Sequence, residues 1–341
     1  MPKYYCIFII CFIATSAFAA HARTDEVVIA NGNHVTCEIL SLEKGSLDVR
    51  TDSMSYVNIR WRDVLRVSSS YIFFLEDTKG KRYEGSLKET GEPGKLEVIS
   101  NTETIAIELA SIVSIYPLGN VWRRFEGQVD FGYTYAKSSA QSQLNLSSAT
   151  IYHGIRWEGG INATSLWSKS NGETNAANTT VAMAVSRYLG SNWFLLSAGQ
   201  YQHNLELKLD SRYTVLGGAG RRLIHTNMMM LRTYAGVSYA EEKYSDIPST
   251  NETDGVLAAS FDYFKLYSPK VDVTIQFYFF PSFSTAGRRR TEFNAQTKFE
   301  LIHDFYWNVS FYDSYDSLPP SAALEKSDYG ITTGISWTFG K

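Results

Sequence analysis

The chain has 6 histidines, and histidine is the side chain best suited to act as a general base near neutral pH. Four of them, His153, His203, His225 and His303, fall in the C-terminal part of the sequence. A hydrolase built there would need each to meet a nucleophile and an orienting acid within hydrogen-bond reach. His153, His225 and His303 each stand where one alternating segment turns tightly into the next, and His203 has no acid in its own register. No G-x-S-x-G or H-E-x-x-H run occurs between residues 122 and 341. Near the other end, His34 and Cys37 invite a metal reading, but two ligands fall short of the roughly four that a structural zinc requires. No catalytic, cofactor-binding or metal-ligating residue is therefore assigned; the chain is read as non-enzymatic, with no cofactor.

The charges that recur with a period do so on one face of extended segments. Thr291, Phe293, Ala295, Thr297, Phe299 and Leu301 share one face, against Glu292, Asn294, Gln296, Lys298 and Glu300 on the other. The same alternation sets Phe125, Val129, Phe131, Tyr133 and Tyr135 against Glu126, Gln128 and Asp130, and Val271, Val273, Ile275 and Phe277 against Asp272, Thr274 and Gln276. Residues expected to line the lumen of a closed barrel are Glu126, Asp130, Glu158, Arg212, Arg222, Arg232, Asp262, Asp272, Glu292, Lys298 and Glu300. Both signs are present, so the charges either pair and plug the lumen or border a thin aqueous path.

The elements that position these charges are about twelve alternating segments between residues 122 and 340, most of them reaching the ~9 to 11 residues with which a tilted strand crosses a bilayer. The joins at 153–155, 189–191, 224–227, 265–269 and 303–304 are tight. Those at 137–141, 168–176, 244–253, 281–289 and 314–327 are mostly longer and more polar, the join near Asp210 being the exception. Outer-membrane barrels show this contrast between short periplasmic turns and long external loops. A soluble β-sandwich also alternates, but its strands average only about 5 to 6 residues. It offers no reason for aromatics at segment ends, as at Trp122, Trp157, Trp167, Trp193, Tyr263, Tyr306, Trp307 and Trp337. The expected fold is all-β, a transmembrane antiparallel barrel of about twelve strands preceded by a small periplasmic β-rich module.

Three domains are expected: a signal peptide over 1–22, a duplicated β-rich module over 23–118 and the barrel over 119–341. Lys3, an apolar run and the small-residue sites Ala17-Phe18-Ala19 and Ala20-His21-Ala22 carry the first. Its removal takes Cys6 and Cys11 and leaves Cys37 alone, so no disulfide holds the exported chain. The module reads as two similar runs of short strands, punctuated by Asn31-Gly32, Lys44-Gly45, Lys79-Gly80 and Pro93-Gly94, with a period of roughly 45 residues. Ile115 to Asn120 reads as a linker. With 32 Lys+Arg against 35 Asp+Glu, the chain lacks the basic excess that nucleic acid demands. At the C-terminus, Ile335, Trp337 and Phe339 alternate as in the final-strand signal that the barrel-assembly machinery reads.

The stretch from Trp122 through Arg123, Arg124, Phe125, Glu126, Gly127, Gln128, Val129, Asp130, Phe131 and Gly132 to Tyr133, with the Gly-turn β repeats before it and the aromatic alternation after it, resembles the YdiY-type family of salt-induced outer-membrane proteins. The resemblance covers about residues 120 to 341, and the front module is similar to an N-terminal extension of some members. It implies the outer membrane of a Gram-negative bacterium, outer-membrane lipid as surroundings, no established activity and a salt or stress response. The reading is a narrow channel or structural envelope protein of unknown ligand. The alternatives are an outer-membrane hydrolase, lipase or protease, on a barrel scaffold, and a periplasmic or cell-wall binding protein.

Overall fold

The computed structural model describes residues 23–337, apart from 120, 138–139, 171–172, 206–207, 246–247, 304 and 319–325. The signal-peptide reading and the final-strand residues Thr338 to Lys341 lie outside the described residues. The first sheet contains β1 (Asp25–Ile29), β2 (His34–Glu43), β3 (Ser46–Thr51), β4 (Ser55–Arg60), β5 (Val64–Asp77), β6 (Arg82–Glu89), β7 (Lys95–Ile99), β8 (Thr104–Glu108) and β9 (Ile112–Pro117). The main order is β4-β3-β2-β1-β5-β6-β7-β8, with β9 pairing both β2 and β5. Alternation places Val27, Ile39, Leu42, Leu47, Val49, Phe73, Leu75, Leu96 and Ile115 in one core. Cys37 is buried in that core as a free thiol, pushed up to about 12 by burial and by the neighbouring Asp25 carboxylate. His34 points elsewhere and pairs with Glu26 at 2.7 Å, so the two do not come together as ligands. Ile115, Tyr116 and Pro117, expected in a linker, complete β9 instead: Ile115 is buried in the core, and the three residues pair with Leu75, Phe74 and Phe73 of β5.

The duplication is visible in the backbone bonds. Trp61 N donates to Gly45 O and Leu109 N to Gly94 O, each at 2.9 Å; Ala30 N donates to Asp63 O at 2.8 Å and Thr78 N to Ser111 O at 2.9 Å; Gly32 N donates to Ile29 O at 2.8 Å and Gly80 N to Asp77 O at 2.9 Å. The spacing is about 48 residues, slightly above the expected period. β5 belongs to both copies: its first half ends one and its second half begins the other. The indole N–H of Trp61 donates to Leu109 O at 2.8 Å, tying the two equivalent 3₁₀ turns together.

The second sheet has 12 strands in consecutive antiparallel order. They are β10 (Phe125–Ala136), β11 (Gln141–His153), β12 (Trp157–Ser170), β13 (Glu173–Gly190), β14 (Trp193–Asn204), β15 (Leu209–His225), β16 (Met229–Tyr244), β17 (Thr250–Lys265), β18 (Val271–Pro281), β19 (Arg289–Ile302), β20 (Phe305–Asp316) and β21 (Ser327–Trp337). One face carries exposed apolar side chains such as Phe131, Ile161, Met183, Val215, Val237 and Leu257. So continuous an apolar face has no place in water, and it suits acyl chains. At its lower margin the paired residues Arg187 and Trp157, and Arg221 and Trp193, stack with the guanidinium over the indole, where a cation and an indole reach headgroups together. The polar loop expected over 168–176 is shorter than its sequence suggests: β12 and β13 extend through it with a bulge at Ser168/Lys169, since paired polar strands satisfy their backbone beyond the membrane as well as a loop does.

Among the described residues no ladder joins β10 to β21, and both faces of these strands are largely exposed. Bare strand edges do not persist in hydrocarbon. The pairing that overlaps both strands along their length and keeps like faces together sets Phe125 opposite Trp337 and Asp130 opposite Thr332. In a Cys37→Ser background, Asp130→Cys with Thr332→Cys is expected to form a disulfide within one chain in membranes, and Asp130→Cys with Thr333→Cys is not. Disulfide-linked dimers on non-reducing gels would show instead that the edges pair between copies.

Candidate functional site

The short turns of the second sheet meet the first sheet, and ion pairs, stacked rings and hydrogen bonds gather at this junction. Two glycine turns of the module make the approach. A Cβ on Gly45 would lie 2.7 Å from Asn227 O, and one on Gly80 would lie 2.6 Å from Asn192 N. Both glycines have φ of +73°, a conformation that glycine adopts without the Cβ penalty. The facing asparagines close the contact: Asn192 Nδ2 donates to Thr78 O at 3.0 Å, and Asn227 Nδ2 donates to Ile112 O at 2.8 Å. Arg82 donates to Ile155 O, and the Arg62 guanidinium stacks on Tyr267 with 3.7 Å to the ring centre. All these barrel residues lie on or beside the tight joins.

At the centre, the Glu76 carboxylate of β5 receives Arg222 of β15 and, at 2.9 Å, Arg82 of β6. The Glu76 and Arg222 side chains are only 5% and 6% exposed. Burial alone would raise the Glu76 carboxyl, but Arg222 and Arg82 together outweigh it and hold it below its ordinary range. A second cluster sits beside it. His153, at the end of β11, stacks on Tyr116 of β9 with ring centres 4.4 Å apart, and its ring nitrogens lie 3.8 Å from Glu126 and 3.9 Å from Glu158. Burial, helped by these acids and Glu43, keeps the Tyr116 hydroxyl well above its usual value, so it stays neutral. Burial also raises the Glu43 carboxyl.

Between module and barrel lies a cavity of about 500 Å³. Its floor is Glu43, Lys44, Phe74, Glu76 and Tyr116; its walls include Tyr188, Phe194, Arg222, Arg232, Tyr234 and Tyr278. Glycines shape the wall: the Tyr234 hydroxyl lies where a side chain on Gly218 or Gly236 would project, and Phe194 lies where one on Gly220 would. The Gly217-Gly218-Ala219-Gly220 run of β15 thus leaves room for rings from β14 and β16.

The eleven sequence-chosen charges share the face opposite the exposed apolar band, by the register of the ladders. They do not form one cluster. Glu158, Arg222 and Arg232 border the cavity, and Asp262 accepts from Arg232 at 3.2 Å. Glu126 stands by His153. Farther up, Asp130 accepts from Ser147 at 3.0 Å, and Arg212 pairs with Glu242 at 2.7 Å. Asp272 sits opposite Lys298 in the ladder, Glu292 opposite Tyr278, and Glu300 accepts from the Lys270 amide at 2.7 Å. Of the histidines, His225 lines the cavity, His203 bonds Asp210 O at 3.0 Å, and His303 lies in the β19–β20 turn. Sequence reading missed Glu76, Arg82, Tyr116 and the role of His153. The acid Glu76 directly after the apolar Phe73-Phe74-Leu75 was the one available signal. No group of three or more His, Cys, Asp or Glu poised for a metal occurs among the described residues.

An even-numbered antiparallel sheet of long strands, apolar outside and charged inside, with short turns at one end, defines an outer-membrane β-barrel protein. Residues 129–339 match the family described as "Protein of unknown function, DUF481". The chain belongs to that family, the salt-induced outer-membrane family it resembles in sequence. No curated protein matches it in sequence. Among solved structures, a "Bacterial polysaccharide outer membrane secretin" aligns at 9% identity over 79% of this chain and 97% of that one, with a TM-score of 0.37. A refined porin aligns at 12% identity over 92% and 98%, with a TM-score of 0.29.

Proposed function

We propose that the protein is a narrow, non-enzymatic outer-membrane channel whose periplasmic mouth is held shut by its own N-terminal module. The supporting observation is the buried Glu76–Arg222 contact, which joins the module to the inner face of the barrel. A charge pair removed from water on both sides is costly unless the geometry is good, so a permanently idle contact here would be an expensive way to hold two domains together. The charges above the mouth, in pairs of both signs, leave a path for small ions and not a wide pore. The module, on the short-turn side, is periplasmic in this reading.

The glycine turns supply the test. Gly45→Ala and Gly80→Ala place a methyl against barrel backbone, while the equivalent Gly94→Ala and Gly32→Ala, at φ of +82° and +83°, meet nothing within 4 Å. All four carry similar left-handed strain of about 1 kcal/mol, so only the first two should also unseat the module. In planar bilayers the wild type and the Gly32 and Gly94 variants are expected to stay mostly closed, and the Gly45 and Gly80 variants to conduct. Equal conductance across all four would refute the gate.

A further inference from the structure

We propose that the cavity at the junction is a binding site for a small organic anion with a flat or apolar body; the proposal rests on the seating of the module described above. The cavity, at about 500 Å³, falls in the range of ~300 to 1,000 Å³ typical of small-molecule sites. Its lining divides by chemistry. Phe194, Phe264, Tyr278 and Phe280 offer ring surface. Against them stand hydrogen-bonding atoms with no partner among the described residues: Arg222 Nε, Arg232 Nε, His225 Nδ1 and the Tyr234 hydroxyl.

These orphans are mostly donors. Guanidinium N–H groups can only donate, so whatever satisfies them brings acceptor oxygens. Of the carboxylates at the cavity, Glu158 faces His153 at 3.9 Å. Glu76 is held by Arg222 and Arg82 through other atoms, and Asp262 by Arg232 at 3.2 Å. Glu43 lies beside Lys44, whose charge opposes its own. A cation would meet Lys44, Arg82, Arg222 and Arg232 together, and a neutral hydrocarbon would leave the donors unpaired. A carboxylate or similar acidic head near Arg222, Arg232 and Tyr234, with its body against the rings, satisfies both halves of the lining.

The full-length protein in phospholipid nanodiscs can be titrated with 2-naphthoate by calorimetry, with 2-naphthylmethylammonium and 2-naphthol as cationic and neutral probes of similar size and empty discs as the blank. Saturable binding of the naphthoate alone is expected. Arg232→Gln should weaken it about ten-fold through loss of a charge-assisted bond, Tyr234→Phe should weaken it less, and Arg212→Gln, on the same face but away from the cavity, should not change it. Heat-modifiable gel mobility confirms that each variant is folded. No saturable heat above the blank, equal binding of the cation, or indifference to both Arg232→Gln and Tyr234→Phe would overturn the proposal. A chain that binds naphthoate but conducts in none of the glycine variants would keep the site and refute the gate; one that gates but binds nothing would refute the site alone.

Discussion

Glu76→Gln is expected to open the proposed channel at neutral pH. The substitution keeps the size of the side chain and removes its charge, leaving the largely buried Arg222 guanidinium facing a neutral amide. Breaking one side of a buried pair costs about 3 to 5 kcal/mol, a large loss for a seating that otherwise rests on two glycine turns, the Arg62–Tyr267 and Tyr116–His153 stacks and a few hydrogen bonds. Conductance should rise, and hydrogen exchange should quicken at the joins around Asn192 and Asn227. The same pair makes the wild type acid-sensitive. A carboxyl held below its ordinary value stabilises the seat while it is ionised, so its contribution is complete above about 4.5, the reference value, and is lost as pH falls through the depressed value. Arg82, Arg222 and His225 are the charged or titratable groups acting on it. Wild-type conductance should therefore rise on acidification while that of Glu76→Gln stays level. A Glu76→Gln channel as closed as the wild type would remove the pair from the gate.

The second large effect concerns facing. Ile161 and Asn162 adjoin on β12, about halfway between Trp157 and Trp167, and belong to opposite faces. Ile161 is 54% exposed on the apolar face, so Ile161→Arg sets a charge in mid-bilayer at a cost of about 2 to 4 kcal/mol. Asn162→Arg sets the same charge on the inner face, beside Ala149 and Ala182 in the ladder. Heat-modifiable barrel should be depleted in the first variant and normal in the second. If both assemble equally, β12 is not in lipid in this register.

Most of the barrel was legible because period-two alternation is a local property. The segments expected at 142–153 and 228–243 correspond to strands at Gln141–His153 and Met229–Tyr244. The apolar stripes of Thr291 to Leu301 and of Val271 to Phe279 pair as facing strands. What was not legible was contact between distant segments. Glu76 and Arg222 are 146 residues apart, and nothing in the pattern around either marks the other. Alternation marks Arg222 only as one lumen charge among eleven, although its partner lies in another sheet. Likewise the pattern marks His153 as a turn residue, which is its position in the chain, but its ring is turned onto Tyr116.

The duplication gives the module a near-copy of its seating surface on its other side. Exchange of the two copies would present the Gly94 and Gly32 turns where Gly45 and Gly80 now stand, with the same backbone bonds behind them. The two sides are nonetheless unlike as keys. The positions equivalent to Glu76 and Arg82 hold Val28 and His34, so a module seated backwards would fit the lock in shape while leaving Arg222 without its counter-charge. A single acid, present in one copy and absent from the other, thus gives a nearly two-fold object one way round.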